Sequence, residues 1–242
     1  MKVAAADQHR LLDLVEIDKT ILRLNHQRTT LPEHEQIKAR MVDYRALSEK
    51  LVEANTRLSD AKAELDRIEA DLGPAQVRLE KNRTISQDGS VNDAKALQAI
   101  LDEIDHLTGR IAKLEDQQLE AMEAVDVATQ RRDSVVGEQQ TIETEVRSMM
   151  ASRDTKTKEI DQAIDKEKAK RAALGRALNP QLVQAYVKIA KQRGDVGAGE
   201  LVNGICTGCG LALNPTDLAR IAAAHADEVI RCEECGRILV RR

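Results

Sequence analysis

Four cysteines are the residues best suited to chemistry in this chain of 242 residues, and all of them fall within its last 37 positions. They form two pairs, Cys206-Thr207-Gly208-Cys209-Gly210 and Cys232-Glu233-Glu234-Cys235-Gly236, with 22 residues between them. Thiolates three positions apart can grip one ion if the chain turns back at once, and the glycine behind each second cysteine permits the left-handed backbone that this needs. The spacing points to a metal rather than to disulfides. Four thiolates fill a tetrahedral shell and leave no position for water or substrate, so the site reads as structural, not catalytic. Zinc is the first assignment; iron, which also accepts a sulfur-only tetrahedron, is the alternative. His225 lies between the pairs, but with four sulfurs available it reads as a solvent-facing side chain and not as a ligand.

These ligands need elements to carry them. Residues 200–242 are too few to bury a self-sufficient core, and a bound zinc ion can supply about 10–16 kcal/mol of apparent folding energy. The sequence predicts a short strand over Glu200 to Ile205 delivering the first pair, and a return strand over Ile238-Leu239-Val240. Between the pairs, Asn214-Pro215-Thr216-Asp217 opens a helix that runs to about Ala224. Upstream, Asn179-Pro180 opens another through Arg193, with Leu182, Tyr186 and Ile189 on one face, and a loop follows from Gly194 to Gly199. That helix is expected to pack against the base of the preceding segment.

The preceding segment is helical and repetitive. Tyr44, Leu51, Leu58, Leu65, Leu72 and Leu79 recur every seven residues, with Leu47, Ala54, Ala61, Ile68 and Ala75 three positions further on. A second seam runs from Leu97 and Ile100 to Val146 and Met149. Both are coiled-coil patterns. The turn formers Ser86-Gln87-Asp88-Gly89-Ser90 separate them, and Asn92 or Asp93 can cap the second helix. Folding back at Asp88 would place residues whose numbers sum to 175 or 176 opposite one another, so that Leu79 faces Leu97, Leu72 faces Ile104 and small Ala75 faces Ile100. The result is an antiparallel hairpin roughly 120 Å long at 1.5 Å per residue. Pro32 should break its first arm and Gly73-Pro74 bend it. The rival, a parallel homodimer of one continuous helix, leaves this pairing a coincidence; dimerisation through outer faces stays undecided.

Composition agrees with a mainly α chain. There are two tyrosines and no Phe or Trp, and 32% of residues are charged. Four of the twelve glycines precede residue 175 and seven follow residue 190. The division is therefore residues 1–175 as hairpin with its turn near 86–92, 176–199 as connecting helix and loop, and 200–242 as ribbon. No apolar run approaches the ~18 to 20 residues of a bilayer span. The start, Met1 to Asp7, is too short in apolar residues for an export signal, so a cytoplasmic location is expected.

At this point the chain resembles the bacterial C4-type zinc-ribbon coiled-coil hairpin family. The residues that carry the resemblance are the hairpin, Ala185-Tyr186, the first cysteine knuckle and the closing string Arg231-Cys232-Glu233-Glu234-Cys235-Gly236-Arg237-Ile238-Leu239. The resemblance implies a non-enzymatic protein with Cys206, Cys209, Cys232 and Cys235 as metal ligands and a ribbon that binds protein, nucleic acid or both. Some members are linked to flagellar or type III secretion. Many also carry a polar and aromatic motif after the hairpin turn; here Asp93 to Gln98 and Asp102-Glu103-Ile104 match its helical part, but the aromatic residue is missing.

Charge bears on the partner. The net charge of −4 hides a gradient, with nine basic against seventeen acidic residues over 53–130 and eleven against five over 153–193. Candidate partner-binding cations are Lys166, Lys168, Lys170, Arg171, Arg176, Lys188, Lys191 and Arg193, with Arg220, Arg231, Arg237, Arg241 and Arg242 in the ribbon. They could neutralise several phosphates. Against nucleic acid, residues 200–242 hold five arginines and six acids, a zinc tetrathiolate adds negative charge, and no aromatic stacking platform exists. No catalytic constellation is present. The expectation is an adaptor binding a protein partner, with non-sequence-specific nucleic-acid binding as the alternative.

Overall fold

The computed structural model describes residues 1–241 and resolves them into two compact units, Gln36–Met149 and Met1–Glu35 with Met150–Arg242. The helices are α1 (Ala5–Thr29), α2 (Pro32–Gln87), α3 (Ala94–Ala177), α4 (Pro180–Arg193) and α5 (Pro215–Ala223). The strands are β1 (Ala198–Val202), β2 (Ile205–Cys206), β3 (Ile230–Arg231) and β4 (Ile238–Val240). The chain thus forms a mainly α hairpin with a small C-terminal sheet.

In the unit Gln36–Met149, α2 and α3 pack as an antiparallel pair. Ile68, Leu72, Ala75 and Leu79 form one buried cluster with Leu107, Ile111, Leu114 and Ala121, and Leu47 forms another with Val135 and Ile142. The seam residues are those of the heptads, but the register differs from the expected one. Hydrogen bonds join Tyr44 to Glu143, Ser48 to Gln139 and Glu69 to Gln118, pairs whose numbers add to 187 rather than to 175 or 176. Two features explain the slip. First, α2 continues to Gln87 and the turn occupies 88–93, where Asp88 accepts from the Ser90 N–H and Asp93 caps α3 by accepting from the Lys95 N–H. Second, a seam repeating every 3.5 residues on average looks alike after a slide of about 10.5 residues, so the pattern alone leaves several registers nearly degenerate.

In the other unit, α1 ends at Thr29 and α2 begins at Pro32, as a proline whose missing N–H would be unpaired at a helix start should dictate. Beside this break, Leu31 packs with Ile160, Ile164 and Leu24. Asn179 caps α4 by accepting from the Gln181 and Leu182 N–H groups, and Gly194 closes it with φ of 77°. The buried face of α4, Leu182, Tyr186 and Ile189, packs against Leu11, Leu14 and Val15 of α1 and against Val196, Ala198 and Ile238. The Tyr186 hydroxyl donates to Asp18, whose carboxylate also pairs with Arg171.

The sheet has the order β2-β1-β4-β3, with β1 parallel to β4 and the other pairs antiparallel. The single strand expected over 200–205 is instead a hairpin, because Asn203 and Gly204 both take positive φ and turn the chain between β1 and β2. The loop expected through Gly199 ends two residues sooner, since Ala198 and Gly199 pair with Ile238 and Leu239. Neither β3 nor the use of the N-terminus is visible in the pattern. Lys2 bridges Glu228, the Val3 N–H donates to the Asp227 carbonyl at 2.7 Å, and the Val229 N–H donates to the Met1 carbonyl at 3.0 Å.

Candidate metal centre

Each cysteine pair is carried by a tight turn. The Gly210 N–H donates to the Cys206 carbonyl at 2.8 Å and the Gly236 N–H to the Cys232 carbonyl at 2.7 Å, with φ of 77° and 72° at the two glycines. Those turns fold both sulfurs of a pair to one side. β2 supplies Cys206, and Cys232 follows β3, so the sheet brings the pairs together. The four sulfur atoms lie within 4.8 Å of one another. A tetrahedron with metal–sulfur bonds of ~2.3 Å needs sulfurs roughly 3.8 Å apart, and the donor set fits it with little adjustment.

Electrostatics supply the reason for an ion. Burial pushes the Cys206 thiol up and the Cys232 thiol up to about 12. Burial also raises the Cys235 thiol, but hydrogen bonds from the Arg237 backbone and side chain and from neighbouring thiols outweigh it and bring it down to about 7. Four sulfurs this close, three of them buried and Cys209 half-buried, cannot all ionise against one another unless a cation is shared among them. Around them pack Leu213, Ile221, Ile230 and Leu239. Among the described residues no fifth donor joins this cluster, and His225 instead pairs with Asp227 at 2.6 Å with its side chain 75% exposed.

The comparisons agree with this geometry. The model of the CT398-like coiled coil hairpin domain matches residues 14–194, and that of the C4-type zinc ribbon domain matches residues 205–239. The chain belongs to the CT398-like coiled-coil hairpin family. Protein Rv2229c of Mycobacterium tuberculosis (strain ATCC 25618 / H37Rv) is 30% identical over 241 residues, covering 100% of this chain and 98% of the relative. A solved Mycobacterium smegmatis structure is 30% identical with a TM-score of 0.89, covering 100% of both chains. CT398 of Chlamydia trachomatis is 17% identical with a TM-score of 0.67 over 98% of both chains, a likeness of fold. With the ribbon match, one structural zinc ion replaces the choice between zinc and iron.

The candidate cations separate once their neighbours are visible. Arg237 is 7% exposed and bound to Asp195 and to the Val196 carbonyl, so it is not free for a partner. Arg241 donates to the carbonyls of Ile221, Ala224, His225 and Glu228, closing the end of α5, and Arg171 is held by Asp18. Lys168 pairs with Asp165, Lys170 with Glu167, and Arg220 with Asp217 and Glu233. Lys166, Arg176, Lys188, Lys191, Arg193 and Arg231 are exposed and have no ion pair among the described residues. Arg242 lies outside the described residues. Asp195 was absent from the sequence-based set; its position just beyond the Gly194 cap was the only signal for it.

Proposed function

We propose that the protein is a non-catalytic adaptor: zinc fixes the ribbon, the paired α2 and α3 act as a spacer, and the outer face of α4 with the ribbon holds an acidic protein partner. The observation that carries this reading is α4. Its inward face is fully used by the core, while Gln181, Gln184, Lys188, Lys191 and Gln192 point outward and Pro180–Arg193 contains no acid. A helix so arranged attracts negative charge at no cost to its own packing. The closed four-sulfur site supports a scaffold role, since zinc with four protein ligands has no position for substrate.

The test is a double charge reversal, Lys188→Glu with Lys191→Glu, in the full chain. Recovery of bound proteins should fall at low salt while zinc content and helicity stay at wild-type levels. In parallel, the protein is titrated with RNA and with duplex DNA at two salt concentrations. Binding to both nucleic acids with a steep salt dependence that the reversal abolishes would replace the adaptor reading by the nucleic-acid one. Unchanged protein recovery in the reversed variant would refute a role for α4.

A further inference from the structure

We infer that Arg237, anchored by Asp195, is a positioning residue of the metal centre: it sets the affinity for zinc by placing one buried positive charge against the tetrathiolate and by tying the end of α4 to it. The inference rests on the zinc reading above.

The geometry is specific to this arginine. Its stem passes beneath the first knuckle, where a Cβ on Gly208 would come within 2.7 Å of the Arg237 Cδ. Glycine at 208 is therefore what lets the side chain through. The Nε–H donates to the Val196 carbonyl at 2.9 Å, and Nη2 lies 2.6 Å from each oxygen of Asp195. Its own backbone carbonyl accepts from the Cys232 N–H at 2.9 Å. The next residue continues the clasp, since the Ile238 N–H donates to the Gly197 carbonyl at 3.0 Å. Residues 195–197, the link between α4 and β1, are thus bound one after another to 237–238, immediately behind the second knuckle.

A zinc ion with four thiolates carries two net negative charges, and the ribbon core around it is apolar. Such a charge costs less to bury with a fixed cation beside it than with a water-exposed one, because the low local dielectric strengthens the attraction. Arg220, near the same module, is 55% exposed on its side chain and pairs with surface acids, whereas the Arg237 side chain is 9% exposed. Arg193 also reaches the second knuckle, its Nη2 3.5 Å from where a Cβ on Gly236 would sit, but it is exposed and screened by water, so Arg237 is the buried cation beside the centre. Asp195 holds the guanidinium in place, with both carboxylate oxygens 2.6 Å from Nη2. By linkage, whatever zinc gains from the clasp the clasp gains from zinc, so metal binding also orders the segment that leaves α4.

The experiment measures zinc affinity by competition with a chromophoric chelator across pH, on the full chain and three variants, Arg237→Met, Arg237→Lys and Asp195→Asn. Loss of an outer partner of a metal ligand typically weakens binding 10- to 100-fold, and Arg237→Met is expected to lose about that much and to release zinc at higher pH. Arg237→Lys should recover part of the loss, because it restores the charge without the forked contact, and Asp195→Asn should lose less than Arg237→Met. Cobalt(II) loaded in place of zinc should keep its tetrahedral absorption in every variant. Wild-type affinity in Arg237→Met would overturn the inference, and so would Arg237→Lys as weak as Arg237→Met, which would assign the effect to packing. If Arg237→Met does not fold, wild-type affinity and pH profile in Asp195→Asn overturn it equally. Failure of the wild-type chain to bind zinc would instead overturn the zinc reading itself.

Discussion

Replacing Tyr186 by Phe removes one oxygen atom and leaves the shape of the core unchanged. Tyr186 is fully buried, and its hydroxyl donates to Asp18 at 2.7 Å. A hydrogen bond to a charged group is worth about 1.5–3 kcal/mol, so Tyr186→Phe should destabilise the unit by that amount. For a chain of this size the melting midpoint, followed by circular dichroism, should fall by about 3–12 °C. The same contact has an alkaline signature. Burial first, then the hydrogen bond and the charge of Asp18, raise the Tyr186 phenol far above its ordinary value. A raised folded-state pKa contributes stability that is complete below the unfolded value of about 10 and declines above it, by about 1.4 kcal/mol per pH unit. The wild type should therefore lose stability above pH ~10 more steeply than Tyr186→Phe. With two tyrosines and no tryptophan, ultraviolet absorbance reads both phenols directly. Tyr44, raised mainly by its hydrogen bond to Glu143, should ionise while the helices are intact, and Tyr186 only as they melt. One titration step for both tyrosines in a fully helical protein, or equal melting of Tyr186→Phe and wild type, would refute the reasoning.

Removing zinc with a chelator should unfold the ribbon around Cys206 and Cys232 while leaving the long helices formed, seen as lost amide-exchange protection over 198–241 with little change in helical dichroism. Substituting Gly197→Ala drives a methyl group into the Tyr186 carbonyl and should cost about 1–3 kcal/mol of stability in a denaturant titration. The register can be read by a short thiol crosslinker: Ser48→Cys with Gln139→Cys should join, whereas Leu51→Cys with Val125→Cys should not, because the observed register separates the latter by roughly 16 Å along the helix.

The four cysteines, the break at Pro32, the helix start at Asn179-Pro180 and the identity of the seam residues were all legible in the sequence, since each depends on chemistry within a few positions: a ligand pair with its glycine, a missing N–H, a capping oxygen, a heptad. What the sequence left open depends on which distant segments meet. The register of α2 against α3 was decided by where the six-residue turn stops and by side-chain pairs such as Ser48 with Gln139. β3 has two residues, too short for any alternation, and exists because β4 lies beside it. The N-terminal residues, read only as too short in apolar residues for an export signal, form a bridge to the ribbon through Lys2 and Glu228. Arg237 shows the division most clearly: by composition it was one more surface cation, and only the approach of Asp195 and Val196 made it a buried part of the metal centre. Local pattern specifies which groups can bond; tertiary packing decides which of them do, because burial removes the water that would otherwise satisfy any of them equally well.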